Sequence, residues 1–136
     1  MRLRYWLLTV GYCLLVLIFM TRPVPEVPRP PIPHMDKVVH FALYAGLAAI
    51  TSIGIRRSNP AATPLHQFLS PFLGASGYGV VCEFLQRLVP ERTFDWSDIA
   101  ANTAGALTAQ VVLIFLLWRY LDAKARPPAR ETSGGS

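Results

Sequence analysis

Three short spacings in this chain carry groups that can do acid–base or binding chemistry. Asp36, His40 and Tyr44 stand at i, i+4 and i+8, with Lys37 beside Asp36. Glu83 and Gln86 are three apart, and Asp98, Asn102 and Gly105 stand at i, i+4 and i+7. On a helix, residues three and four apart share a face, so each set forms a polar stripe. Imidazole and carboxyl groups are the usual carriers of protons in catalysis, which makes His40, Glu83 and Asp98 the candidate catalytic groups. Asp36, Lys37, His40, Tyr44, Glu83, Gln86, Arg92, Asp98 and Asn102 together form the candidate binding set. Lys37, Arg87 and Arg92 suit an anionic group such as a phosphate or carboxylate, and helix N-termini would add their free N–H groups.

The segments that must hold these residues are strongly apolar. The chain has 136 residues, 52% of them hydrophobic and only 15% charged, with a mean hydropathy of +0.35. Apolar residues come in blocks: Leu3 to Met20, Val38 to Ile55, Pro71 to Val89 and Ile99 to Leu117. At 1.5 Å per residue, an 18-residue block reaches about 27 Å, close to the thickness of a hydrocarbon core. The expected fold is an all-α membrane protein, four transmembrane helices in a compact bundle. Its parts are a first helix over 1–21, a Pro-rich outer loop over 22–35, a core over 36–121 with helices at about 38–55, 71–89 and 99–117, and a polar tail over 122–136.

Arg2 and Arg4 before an apolar run could also open a signal peptide. The run is long for that role, however, and "TRPVPEVPRPPIPHMDK" after it holds no small-x-small cleavage site, so an uncleaved helix is expected. Ser70 and Pro71 have the types of a cap and first-turn pair for the third helix. Asp36 and Asp98 could cap the second and fourth. Small residues four apart, Ala42/Gly46, Ser70/Gly74, Ala75/Gly79 and Ala101/Gly105/Ala109, would let helices approach closely in lipid. Six of the twelve prolines fall between Arg22 and Pro33, a stiff spacer.

Charge sets an expected orientation. Eight of the thirteen Lys and Arg lie at the N-terminus, in the second loop and in the C-terminal segment, and five on the alternate side. By the positive-inside rule both termini are cytoplasmic. Six of the eight acids fall on the outer side, where they play little part in topology and call for another explanation. The net charge of +5 is thus mainly a topology signal, and no basic stripe interleaved with aromatics points to nucleic acid. Cys13 and Cys82 have no metal-ligand or redox spacing and are expected to be inert; no metal or cofactor motif is present.

Ionisable groups at membrane depth cost about 2.5 to 3.5 kcal/mol each even on the lenient insertion scale. Three polar stripes at one depth therefore predict a pocket at the outer face, with His40, Glu83, Asp98 and Asn102 turned inward. Structural ion pairing, such as Arg92 with Asp98 or Glu83, is the rival explanation.

"DKVVHFALYAGLA" followed by "EFLQRLVPERTFDWSDIAANTAGA" resembles the VanZ-like family of small bacterial membrane proteins. The matching positions are Asp36, Lys37, His40, Phe41, Tyr44, Glu83, Gln86, Arg92, Asp98, Asn102 and Gly105. The resemblance implies a multi-pass protein of a bacterial cytoplasmic membrane and, through the family's namesake, a link to teicoplanin-type glycopeptide susceptibility. Three functions follow as expectations. One is binding or remodelling of an anionic lipid or lipid-linked precursor; another is a membrane hydrolase or transferase with Glu83 or His40 as acid–base; the third is an assembly protein whose polar cluster only locks the bundle. A nucleophile motif such as Gly-x-Ser-x-Gly is absent from the sequence.

Overall fold

A computed structural model of the protein describes residues 3–22, 34–90 and 92–125. They form four helices: α1 Leu3–Thr21, α2 Met35–Ser58, α3 Pro64–Gln86 and α4 Trp96–Ala125. All four are long and apolar enough to cross a membrane. No strand occurs among the described residues. The Pro-rich segment over 23–33 and the tail from 126 onward lie outside the described residues.

The helices run up and down. α2, α3 and α4 pack against one another, and α1 packs against α2 and α3. The C-terminal ends of α1 and α3 meet where Gln86 reaches Met20, at the end where the first turns of α2 and α4 meet through Lys37 and Asp98. At the opposite end Gly54 of α2 lies beside Tyr5 and Thr9 of α1.

The surface is inverted relative to a soluble bundle. Leu7, Leu14, Ile18, Phe19, Val38, Ile53, Leu73, Phe84, Val111 and Phe115 face outward. Inside, Val16, Met20, Tyr44, Leu47, Ala48, Ala75 and Ala106 form a small apolar core beside buried His40, Ser52, Glu83, Gln86, Asp98, Asn102 and Gln110. Such a distribution is the one a hydrocarbon surround selects, because lipid rewards an apolar exterior and drives polar groups to find each other. The chain is a multi-pass membrane protein.

Two tyrosines tie α1 to the core. Tyr12 donates to the Leu43 carbonyl at 3.2 Å, and Tyr78 donates to the Cys13 carbonyl at 2.7 Å. Cys13 and Cys82 are free.

The helix ends correct several sequence expectations. α3 begins at Pro64, not Pro71: Thr63 is its N-cap, with its hydroxyl accepting from the His66 N–H at 3.3 Å. Thr63–Pro64 and Ser70–Pro71 carry the same cap chemistry, and Leu65, Phe68 and Leu69 lengthen the apolar run so that the earlier pair prevails. Pro71 is then buried inside the helix, leaving the Gln67 carbonyl without its usual donor four residues on. α3 ends at Gln86 rather than 89, where Leu88 N and Val89 N bond to carbonyls three residues back in a tight turn. α2 and α4 each begin three residues earlier than expected, because their polar first turns are helical although not apolar. α4 also continues past 117 to Ala125, taking in the start of the segment expected to be tail.

Of the small-residue pairs, Gly46, Gly79 and Gly105 sit at helix contacts, whereas Gly74 faces open space. Gly105 marks the closest approach. A Cβ there would strike the carbonyl oxygen and carbon of Phe41, so α4 lies directly on the backbone of α2. Because backbone cannot swing aside as a side chain can, Gly105→Leu is expected to destabilise the bundle by about 1 to 3 kcal/mol or more. Gly74→Leu should stay within about 0.5 kcal/mol of wild type. Thermal unfolding of the two variants in the same detergent checks the contrast.

Candidate functional site

The first turn of α2 and the first turn of α4 lie side by side, and the last turn of α3 closes the third side. Asp95 is the residue before α4, and its carboxylate accepts from the Ser97 N–H at 2.8 Å and the Ser97 hydroxyl at 2.6 Å. Its carbonyl accepts from the Asp98 N–H at 3.1 Å. The "DWSD" segment is thus an N-cap whose own N–H is taken by Glu83 rather than by the acid at the third helical position. Asp95, not Asp98, caps α4. On α2 the residue before the helix is His34, at φ 62°, and no side chain caps that end. Asp36 lies within the first turn and pairs with Lys37.

Lys37 is the electrostatic centre of this end. Its ammonium stands 2.8 Å from Asp98 Oδ1, 2.9 Å from Asp95 Oδ2 and 3.3 Å from Asp36 Oδ2. An ammonium has three donors, and three carboxylates take them. The ion pair that crosses the bundle is therefore Lys37–Asp98, not an Arg92 pair with Asp98 or Glu83. The Asp95 carboxyl is held well below the usual carboxylate range, chiefly by the Ser97 hydroxyl and then by Lys37.

One turn deeper, His40 is 4% exposed and Asn102 1%. His40 Nδ1 lies 3.0 Å from Asn102 Oδ1. Since the amide oxygen only accepts, Nδ1 donates to it, which leaves Nε2 as the ring nitrogen turned toward Asp98. Nε2 lies 3.7 Å from Asp98 Oδ2, too far for a hydrogen bond. Glu83, 1% exposed, accepts from the Asp95 N–H at 2.8 Å through Oε1, and its Oε2 has no partner. One donor atom each from His40, Glu83 and Asp98 lie within 4.8 Å of one another.

Of the residues singled out by spacing, Lys37, His40, Glu83, Asp98 and Asn102 come together, with Asp36 at the exposed edge. Tyr44 lies below them, fully buried, its ring against Gly79. Gln86 and Arg92 turn elsewhere: Gln86 Nε2 donates to Met20 Sδ at 3.2 Å, and Arg92 Nη2 donates to the Arg22 carbonyl at 3.5 Å. Arg87 is exposed and lies 5.9 Å over the Phe94 ring. Two residues were not foreseen. Asp95 both caps α4 and binds Lys37, a role its Asp-x-x-Asp spacing ahead of an apolar run could have signalled. Gln110, two turns beyond Asn102 and fully buried, donates to the Ala48 carbonyl at 3.2 Å. A lone amide in the apolar run of α4 is its sequence signal.

A groove of 450 Å³ runs along the outer face of α1, lined by Gly11, Leu14, Leu15, Ile18, Phe19 and Arg22. It holds none of the clustered residues but ends at Arg22, whose carbonyl receives Arg92.

Comparisons with known proteins agree with this picture. The chain is 31% identical over 108 residues to an uncharacterized protein of Schizosaccharomyces pombe, an alignment covering 79% of this chain and 64% of that one. The chain thus spans just under two thirds of its relative's length, and a fungal relative means that similarity alone does not assign it to a bacterial envelope. No solved structure matches it. The sequence profile described as VanZ/LLP1 matches residues 6–119, which reaches into all four helices and takes in the whole polar cluster, and the chain belongs to the VanZ/LLP1 family.

Proposed function

We propose that this protein binds or remodels the polar head of an anionic lipid or lipid-linked precursor at the polar end of its bundle. The observation that carries the proposal is the meeting of Arg92 with the Arg22 carbonyl at the head of the apolar groove on α1, at the same end of the bundle as the cluster. An acyl chain has the length and polarity to lie in such a groove while its phosphate meets guanidinium groups, which grip phosphate in bidentate fashion. Among the described residues no carboxylate pairs with Arg92, whereas Lys37 is already held by three. The cationic contribution is therefore assigned to the arginines, and the expectation that Lys37 itself receives the anion is set aside.

The same proposal includes an orientation. Arg56 and Arg57 end α2, at the end of the bundle where α1 begins with Arg4 in its first turn. The positive-inside rule puts that end in the cytoplasm with both termini, and the polar cluster at the outer face. In a bacterium this would be the cytoplasmic membrane, where a lipid-linked envelope precursor is the natural ligand and teicoplanin-type susceptibility the natural readout.

A second function is favoured by one specific feature. Glu83 is buried with a partnerless oxygen close to His40, whose protonated nitrogen is set by Asn102. These are the parts of an acid–base pair, and they support a hydrolase or transferase acting on the same lipid.

Lipids retained by the purified protein, identified by mass spectrometry, test the first proposal. Arg92→Ala is expected to lower the retained anionic lipid several-fold with no change in folding; equal retention would contradict it. Glu83→Gln separates the two functions, because it keeps the shape and removes the base. Altered membrane lipid composition on expressing wild type, absent with Glu83→Gln, would favour catalysis. An identical composition with both would leave binding as the function.

A further inference from the structure

Beyond lipid binding, we infer that His40, Glu83 and Asp98 form a binding site for one divalent transition-metal ion. The inference stands on the donors and their support, whether or not a lipid binds nearby. Three helices each supply one ligand-bearing residue, all three are buried, and their donor atoms lie within 4.8 Å of one another. Two metal–ligand bonds of about 2.0 to 2.2 Å span up to about 4.3 Å, so a small contraction closes the set around an ion.

Two independent features point the same way. The first is the tautomer of His40. Asn102 Oδ1 accepts from Nδ1 at 3.0 Å, which is how a ligating histidine is oriented, by a second group bonding its remote nitrogen. Its Nε2 then faces Asp98 Oδ2 across 3.7 Å, beyond hydrogen-bond distance. That separation is one that a shared metal ion spans. The second is Glu83, 1% exposed, with Oε2 unpartnered inside a low-dielectric bundle. A buried carboxylate oxygen without a partner is costly, and a metal ion is one of the few groups that relieves it.

Charge supports the assignment. Asp36, Asp95 and Asp98 share a single ammonium, and Glu83 adjoins them through the Asp95 N–H, so four carboxyl groups stand against one cation. A divalent ion offsets most of this surplus. Lys37 does not compete for the ligand oxygen: it holds Asp98 by Oδ1 and leaves Oδ2 toward His40. One imidazole with two carboxylates suits Zn²⁺, Mn²⁺ or Fe²⁺ rather than Ca²⁺ or Mg²⁺, which favour all-oxygen shells. Three protein ligands also leave a position open for water or an anionic oxygen.

The test is metal binding by the full chain, purified in detergent, stripped with chelator and dialysed against Zn²⁺ or Mn²⁺. Wild type is expected to retain one ion per chain, and Gly74→Ala to match it. Glu83→Gln and His40→Ala should retain none. Asn102→Ala keeps all three ligands and should weaken affinity by about 10- to 100-fold, as loss of a supporting hydrogen bond does elsewhere. Should the ligand variants fail to fold, X-ray absorption on the Zn²⁺-loaded wild type decides: one imidazole and otherwise oxygen neighbours is the result expected. Substoichiometric metal in wild type, full retention by folded Glu83→Gln, or a shell with no histidine would overturn the site.

Discussion

Lys37 and Asp98 hold the two polar first turns of this bundle together, and most of the rest follows from that pair. An unpaired carboxylate or ammonium at this depth would be expelled toward water or neutralised. Paired at 2.8 Å, the two anchor α2 to α4 at one end. The helices then converge until Gly105 rests on the Phe41 backbone. That approach sets the register by which His40 meets Asn102 and, farther in, Gln110 meets Ala48. Hydrogen bonds across helices recur along the α2–α4 seam because small residues let the backbones come near enough for side chains to bridge them.

The end caps serve the same pair. Asp95 caps the start of α4 by binding Ser97 and adds a second carboxylate to Lys37, while its own N–H satisfies one oxygen of Glu83. One loop residue thus links all three helices of the core. The other Glu83 oxygen is left over, and so is the Nε2 of His40. A bundle evolved only for stability has no need of such leftovers, since replacing buried polar groups with apolar ones of similar volume is often neutral or stabilising. Their place at one end of the molecule is what the proposed site rests on.

Much of this is legible in the sequence. The apolar blocks marked four spans, and the i, i+4 spacing of Asp36/His40 and Asp98/Asn102 marked the faces that meet, because helix periodicity is strict over two turns. What spacing does not carry is partner choice. On sequence grounds Arg92 is the ion-pair candidate for Asp98 or Glu83, yet Lys37 takes Asp98, because the first turns of α2 and α4 lie side by side. Helix ends were the weaker part, since hydropathy marks apolar residues while caps mark termini: Thr63–Pro64 and Ser70–Pro71 have the same chemistry, and only the added apolar turn tells them apart. The grouping of His40, Glu83 and Asp98 was visible only as three residues at one depth. That their donor atoms converge depends on rotation of three helices about their axes, which packing sets and no local pattern records.

The central claim is that Lys37 and Asp98 form one energetic unit across α2 and α4. A double-mutant cycle on Lys37→Met and Asp98→Asn, read by unfolding free energy in a single detergent, tests it most directly. The account predicts that the two changes are far from additive, with a coupling of about 0.5 to 3 kcal/mol, because each single variant strands the partner's charge. Additivity within about 0.3 to 0.5 kcal/mol would mean that the two side chains do not interact, and would contradict the account.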